Sequence, residues 1–178
     1  PTKDQFEVHL CGVGQMAEVW QSLGDELGVR VVQRGMLTPD VLFETLVHAG
    51  ALVQSSLTTR VVTEQFGRSV AEAMTVGVPC LSSTSGELPN VVGDPWCTFG
   101  EDDVEGLAHK LEVLRADPER RASVSQSQVE RARRWSPEMS SQTLVEFWAE
   151  CWDHQEARPG LLRRSRRLIR QGNAAVQG

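Results

Sequence analysis

The chain of 178 residues contains no tyrosine and only four cysteines, Cys11, Cys80, Cys97 and Cys151, which are widely scattered. No Cys-x-x-Cys pair or Cys/His grouping occurs. That spacing suggests neither a zinc site nor a disulfide framework, and reduced thiols in a cytoplasmic protein are the expectation. No apolar run approaches the ~20 residues needed to span a bilayer, and no secretory signal is visible. Internal repeats and low-complexity segments are lacking. Basic residues are in the minority, with a formal net charge of −6. Arg158, Arg163, Arg164, Arg166, Arg167 and Arg170 stand after residue 157 with no acid among them, which leaves −12 on the remainder. An acidic globule of this kind is not expected to bind nucleic acid. The length suits one domain with a substantial core. The first residue is proline rather than methionine, as expected of a processed chain or a segment of a longer one.

What is present is an alternation of strand and helix patterns. Phe6 to Cys11 reads as a strand and runs into Gly12-Val13-Gly14. Met16, Val19, Trp20, Leu23 and Leu27 recur at helical spacing, with Gly28 as the stop. Val29 to Val32 is a second strand. Thr38-Pro39 predicts an N-cap and first-turn proline for a helix whose buried side is Val41, Leu42, Leu46 and Val47. Ala51 to Val53, Pro79 to Ser82 and Trp96 to Phe99 complete the strands. Asp102 with Glu105 predicts a capping box for the next helix. Asp117-Pro118 and Ser136-Pro137 open two more; the last carries Leu144, Val145, Phe147, Trp148 and Trp152 for packing. The alternation predicts an α/β fold, Rossmann-like, with a parallel sheet covered by helices on both faces.

The chain is organised around Glu64 to Asn90. Glu64 and Glu72 stand eight positions apart, with Phe66-Gly67 after the first acid. Glu64 falls in a loop, and Gly67 lets the backbone turn tightly or approach a ligand. Ser69 is the expected N-cap of the helix that carries Glu72, so the free N–H groups and positive dipole end at the helix start offer a phosphate site. A carboxylate in the loop and another on the helix can grip two hydroxylated parts of one ligand, with its phosphates between them. A sugar nucleotide has that layout.

Glu64-x7-Glu72, Phe66-Gly67, Gly77-Val78-Pro79 and Ser85-Gly86-Glu87-Leu88-Pro89 resemble, in order and spacing, the donor-site motif of retaining GT-B glycosyltransferases of family 4, the glycogen-synthase-like group. The resemblance covers about residues 6 to 153 and implies the C-terminal, donor-binding half of a GT-B fold. It implies that Glu64 faces the transferred sugar as the catalytic residue and that Glu72 holds the ribose hydroxyls. The amides of Phe66 to Ser69 would bind phosphate, and Arg68 either touches phosphate or is a solvated side chain. It places Gly12 and Gly14 near the nucleotide, the backbone of Met36 and Leu37 at the base, and the strand-end serine, Ser55-Ser56, beside the donor. The donor implied is a UDP- or GDP-sugar, with no cofactor and no metal. The acceptor implied is a sugar, a lipid-linked sugar or a small molecule.

The family pattern starts late here. A first strand bearing a Gly-Arg turn and a Lys-Gly pair has no counterpart, since Lys3 stands in the wrong context. In a sheet of order 3-2-1-4-5-6 the strand lacking is the central one. The N-terminal acceptor domain is lacking too, so residues 1–157 are expected to be a partial donor domain and inactive alone. Two alternatives remain open at this point: a degenerate GT-B module that binds a nucleotide sugar or a partner without catalysis, and a GT-B-like epimerase. Residues 158–178 read as a basic tail. Leu161, Leu168 and Ile169 fall roughly on one helical side with arginines opposite, which suggests contact with an anionic membrane at the inner face of the cell, against the alternative of a solvated tail. If the membrane reading holds, full-length protein sediments with anionic but not neutral vesicles, and removal of 158–178 abolishes the difference. Equal binding with and without the tail would discard it.

Overall fold

The computed structural model describes residues 6–156, with side chains through Trp152; Lys3 and the basic tail 158–178 lie outside the described residues. Residues up to Arg133 form one compact unit and those from Arg134 a second.

In the first unit, β1 (Glu7–Cys11) pairs in parallel with β2 (Arg30–Gly35), Val8 opposite Val31 and Leu10 opposite Gln33. A parallel pair needs a crossover, and α1 (Ala17–Leu27) supplies it, ending at Gly28 in the left-handed region as its position predicts. Gln33 Nε2 donates to the Ala17 carbonyl at 2.9 Å and Val31 lies against Gly24, so β2 packs under α1, and Val8 and Leu10 of β1 share that face of the sheet. The opposite face is charged. Glu7 pairs with Arg30 at 2.9 Å and with His9, and Arg34 Nε donates to His9 Nδ1 at 3.1 Å.

After α2 (Pro39–Val47), a second parallel sheet of order β3-β4-β5 is built from Leu52–Gln54, Cys80–Ser83 and Thr98–Phe99. The helices around it are α3 (Arg68–Thr75), α4 (Leu88–Val92), α5 (Val104–Ala116) and α6 (Pro118–Ala132). Every residue of β4 is buried. Val70, Ala73 and Met74 of α3, Leu88 and Val92 of α4, Leu114 of α5, and Val124 of α6 complete the core. Each large apolar side chain so buried contributes about 1.5–3 kcal/mol. Cys80 and Cys97 sit in this core as free thiols; burial pushes the Cys97 thiol up to about 12 and Cys80 higher still, so neither is a nucleophile at neutral pH.

The α/β class and the parallel pairing are as expected, and several local boundaries are not. Pro95–Cys97 forms a 3-10 turn, leaving β5 two residues long. Asp103, not Asp102, caps α5 by accepting the Gly106 N–H at 2.8 Å, and with glycine at that third position there is no capping box. Ser69 is not an N-cap: Gly67 holds that position with φ +81°, and the Ser69 hydroxyl bonds Gln54 instead. Thr38 holds the N-cap position of α2 without a side-chain bond. In the second unit, α7 (Pro137–Glu156) starts at Ser136, whose hydroxyl accepts the Met139 N–H. Leu144, Phe147, Trp148 and Trp152 lie exposed along it rather than packed in a core.

The shortness of β5 has a consequence for the strand beside it. β5 pairs only with Ser82 and Ser83, so the Cys80 N–H and C=O on that side lack a strand partner. Gln128 of α6, 1% exposed, replaces it: its Oε1 accepts the Cys80 N–H at 2.8 Å and its Nε2 donates to the Cys80 carbonyl at 2.9 Å. The outer edges of both sheets have no strand partner among the described residues, those of β1 and β2 in one sheet and those of β3 and β5 in the other. Gln128→Leu keeps the bulk but orphans two buried backbone groups, each at ~1–3 kcal/mol. Urea unfolding is expected to show about 2–4 kcal/mol of lost stability; a loss below about 0.5 kcal/mol would mean the carboxamide is not the strand's partner.

Candidate functional site

In open parallel sheets, ligands bind beyond the carboxyl ends of the strands. The sequence-predicted residues collect there in two groups. At the ends of β1 and β2, the Gly12 N–H donates to the Gly35 carbonyl at 2.7 Å, joining the two strand-end turns. That contact brings Gly12 beside Gly35, the residue before Met36 and Leu37. Met36 is 75% exposed and Leu37 half-buried, so this ledge presents backbone and a thioether to solvent.

The second group stands at the ends of β3 and β4 and is centred on Glu64. The loop from β3 to α3 bounds a cavity of about 700 Å³ lined by Ser56, Leu57, Val61, Val62, Thr63, Glu64 and Gln65. The Glu64 carboxylate is half-buried there and held on both oxygens: Oε1 accepts the Gly67 N–H at 3.2 Å, and Oε2 accepts from Ser56 Oγ at 3.2 Å. A relay stands behind Ser56. The Ser69 hydroxyl donates to Gln54 Oε1 at 2.8 Å, and Gln54 Nε2 donates to Ser56 Oγ at 2.9 Å. All donors in this relay point toward the carboxylate, which therefore stays an acceptor with a fixed aim.

The backbone of Glu64 is fixed as firmly. Its carbonyl accepts the Glu87 N–H at 3.0 Å, and it passes so close to Gly86 that an added Cβ would lie 1.9 Å from the Glu64 oxygen. Gly86 also has φ +54°, a region that other residues enter at a cost. The Ser83 hydroxyl donates to the Ser56 carbonyl at 2.6 Å, pinning the start of the same loop.

The structure does not place every predicted residue against this cavity. Glu72 is the fifth residue of α3 and does not line it; its carboxylate pairs with Arg68 at 3.5 Å. The Arg68 guanidinium is otherwise solvated, with 86% of its side chain exposed. Of the amides from Phe66 to Ser69, that of Gly67 is engaged by Glu64. Ser55 is exposed, and Ser56 beside it makes the contact with Glu64. Sequence reasoning missed Gln54. A carboxamide at a strand end carries no mark in the sequence of the partners that the fold brings to it.

The profile of the family described as "Glycosyl transferases group 1" matches residues 2–117. No curated protein matches the sequence. Among solved structures, the fold is similar to sucrose-phosphate synthase from Thermosynechococcus elongatus, with 20% identity and TM-score 0.68 over 83% of this chain and 39% of that one. It is similar to the catalytic domain of cholesterol-alpha-glucosyltransferase from Helicobacter pylori, with 18% identity and TM-score 0.64 over 75% and 82%. It is also similar to TarM, with 17% identity and TM-score 0.65 over 81% and 28%. At these identities the likeness is one of fold, and this chain spans about two-fifths of the length of the synthase.

Gly86→Ala is expected to destabilise by about 1–3 kcal/mol and to shift the amide resonances of Glu64 and Glu87 while leaving those of β1 and β2 in place. Unshifted Glu64 and Glu87 resonances would refute the contact as the anchor of the loop.

Proposed function

The chain belongs to the glycosyl transferases group 1 family, and on that premise we propose that it is the donor-binding part of a retaining, family 4 glycosyltransferase. The observation that carries this reading is the aimed Glu64 carboxylate on a cavity at the carboxyl ends of β3 and β4. The substrate is a nucleotide sugar, such as a UDP- or GDP-sugar, with the base over Met36 and Leu37 and the phosphates between the Gly12–Gly14 turn and the start of α3. Glu72 turns from Arg68 to the ribose hydroxyls, an exposed ion pair that costs little to exchange.

In the transfer, the bond from the anomeric carbon to the diphosphate oxygen breaks with its electron pair going to the diphosphate. The sugar ring gains positive charge, which Glu64 stabilises while hydrogen-bonding the hydroxyls. The acceptor hydroxyl adds on the face the diphosphate leaves and gives its proton to the departing phosphate, so configuration is retained. No metal takes part. The amides of Arg68 and Ser69 and the N-terminus of α3 stabilise the leaving group. This is not the paired-carboxylate scheme of glycosidases.

The open edges of β1 and β3 support the further reading that a strand of a longer chain enters between them, bringing phosphate-neutralising basic residues, with an acceptor domain beyond. Val8, Val53 and the α1 side chains Val19, Trp20 and Leu23 are all uncovered, which suits an apolar strand and its helix. Among the described residues no helix is long and apolar enough to cross a membrane. The acceptor is a sugar, a lipid-linked sugar or a small molecule, and the proposed location is cytoplasmic or peripheral at the inner membrane face.

The carboxylate roles separate in calorimetry and turnover on the full-length enzyme, with the isolated chain, expected to transfer no sugar, as the blank. Glu72→Ala removes charge-assisted hydrogen bonds worth about 1.5–3 kcal/mol and raises the UDP or GDP dissociation constant ~10- to 150-fold. Glu64→Ala leaves that constant within about twofold and lowers turnover. Unchanged nucleotide affinity on losing Glu72 would end the ribose assignment.

A further inference from the structure

The loop that carries Glu64 is gripped from a direction unrelated to the Glu64–Glu72 motif. Glu101 lies in the turn after β5, forty-three positions beyond Thr58. Both oxygens of its carboxylate are given to Thr58: Oε2 accepts the Thr58 N–H at 2.6 Å, and Oε1 accepts from Thr58 Oγ1 at 2.6 Å. Those two bonds hold the Glu101 carboxyl below the usual carboxylate range, so it is ionised at neutral pH.

The proton count then orients everything behind it. A threonine hydroxyl has one proton, and here it goes to the carboxylate. Thr58 Oγ1 also lies 2.9 Å from Ser85 Oγ, so in that contact Ser85 donates and Thr58 accepts. Ser85 is fully buried, and with its proton committed its oxygen is left to accept the Glu64 N–H, the longest link at 3.5 Å. The chain therefore runs one way, from the Glu64 N–H through Ser85 and Thr58 to the Glu101 carboxylate. Reversing any link would set two protons or two lone pairs against each other.

We infer that Glu101 is a positioning residue for Glu64, acting through Thr58 and Ser85 to fix the backbone from which the Glu64 carboxylate is aimed. The inference rests on the reading of Glu64 as the carboxylate that faces the sugar. The two arms of control are independent. Ser69, Gln54 and Ser56 orient the Glu64 carboxylate from the β3 side, while Glu101, Thr58 and Ser85 fix its main chain from the β5 side. Glu101 itself touches no reacting atom.

The test separates directional hydrogen bonding from space filling. Glu101→Gln has the same shape, but its one oxygen cannot serve both the Thr58 N–H and the Thr58 hydroxyl, and its NH2 faces a donor. Thr58→Val keeps the bulk and removes the hydroxyl link. In the full-length enzyme, both variants are expected to raise amide hydrogen exchange at Glu64 by about tenfold or more, with exchange in β4 and α6 unchanged. Turnover is expected to fall about 10- to 100-fold, while KM for the UDP- or GDP-sugar stays within about twofold. Glu101→Asp, which keeps both oxygens, is expected to recover part of the loss. Wild-type exchange at Glu64 in both variants overturns the positioning role. Faster exchange at Glu64 with unchanged turnover supports the tether and overturns the role of Glu64 at the sugar, which Glu64→Ala reports separately.

Discussion

The approach of the Glu64 carbonyl to Gly86 is the constraint on which the site depends. It ties a loop that has no regular structure of its own to the end of β4, the most deeply buried strand. With the Glu87 N–H on the same carbonyl, the loop cannot slide along the strand end without orphaning a backbone group. Everything else in the site extends from that join: the turn into Gly67, the N-terminus of α3, and the relay through Ser56.

The hydrogen bonds around this join differ in kind from those of the core. Buried core side chains such as Met74, Leu81 and Leu88 pack without directionality, and their burial supplies stability. The relays to Glu64 are directional, and each is oriented by a group that can only donate or only accept. Glu64 ends one as an acceptor, and Glu101 ends the other. Neither relay needs a neighbouring cation. A carboxylate held in this way keeps lone pairs free while its geometry is set by a neutral hydroxyl and a backbone amide.

A second theme is how strand edges are closed. β4 lacks a full neighbour on one side, and Gln128 reaches from α6 to take the backbone groups of Cys80. Among the described residues β1 and β3 have no such substitute, and the apolar side chains Val8 and Val53 on them are exposed. An unsatisfied edge between two apolar half-sheets is a template for a further strand. The polar surface of Glu7, His9, Arg30 and Arg34 lies on the face of β1 and β2 away from α1, so the apolar and charged surfaces of this half-sheet are cleanly divided.

Periodicity alone was enough for the alternating elements, the parallel pairing and the order of the helices, because strand and helix periods are local properties of the chain. The linked spacing of Glu64, Phe66-Gly67, Glu72 and Gly86-Glu87 likewise pointed to a sugar-nucleotide family, since motif spacing survives translation from sequence to structure. Cap positions slipped where a side chain had two possible partners: Ser69 turns to Gln54, and Asp103 rather than Asp102 meets the start of α5. Gln54, Gln128, Thr58, Ser85 and Glu101 were illegible because their roles lie in partners up to forty-eight positions away. A polar residue in a sequence carries no mark of whether burial will leave it needing a partner, nor of which one the fold will bring. The chain's order of residues determined which elements form; only their packing decided which hydroxyl, carboxamide or carboxylate would hold Glu64 in place, because a directional bond exists only once both ends have been fixed in space.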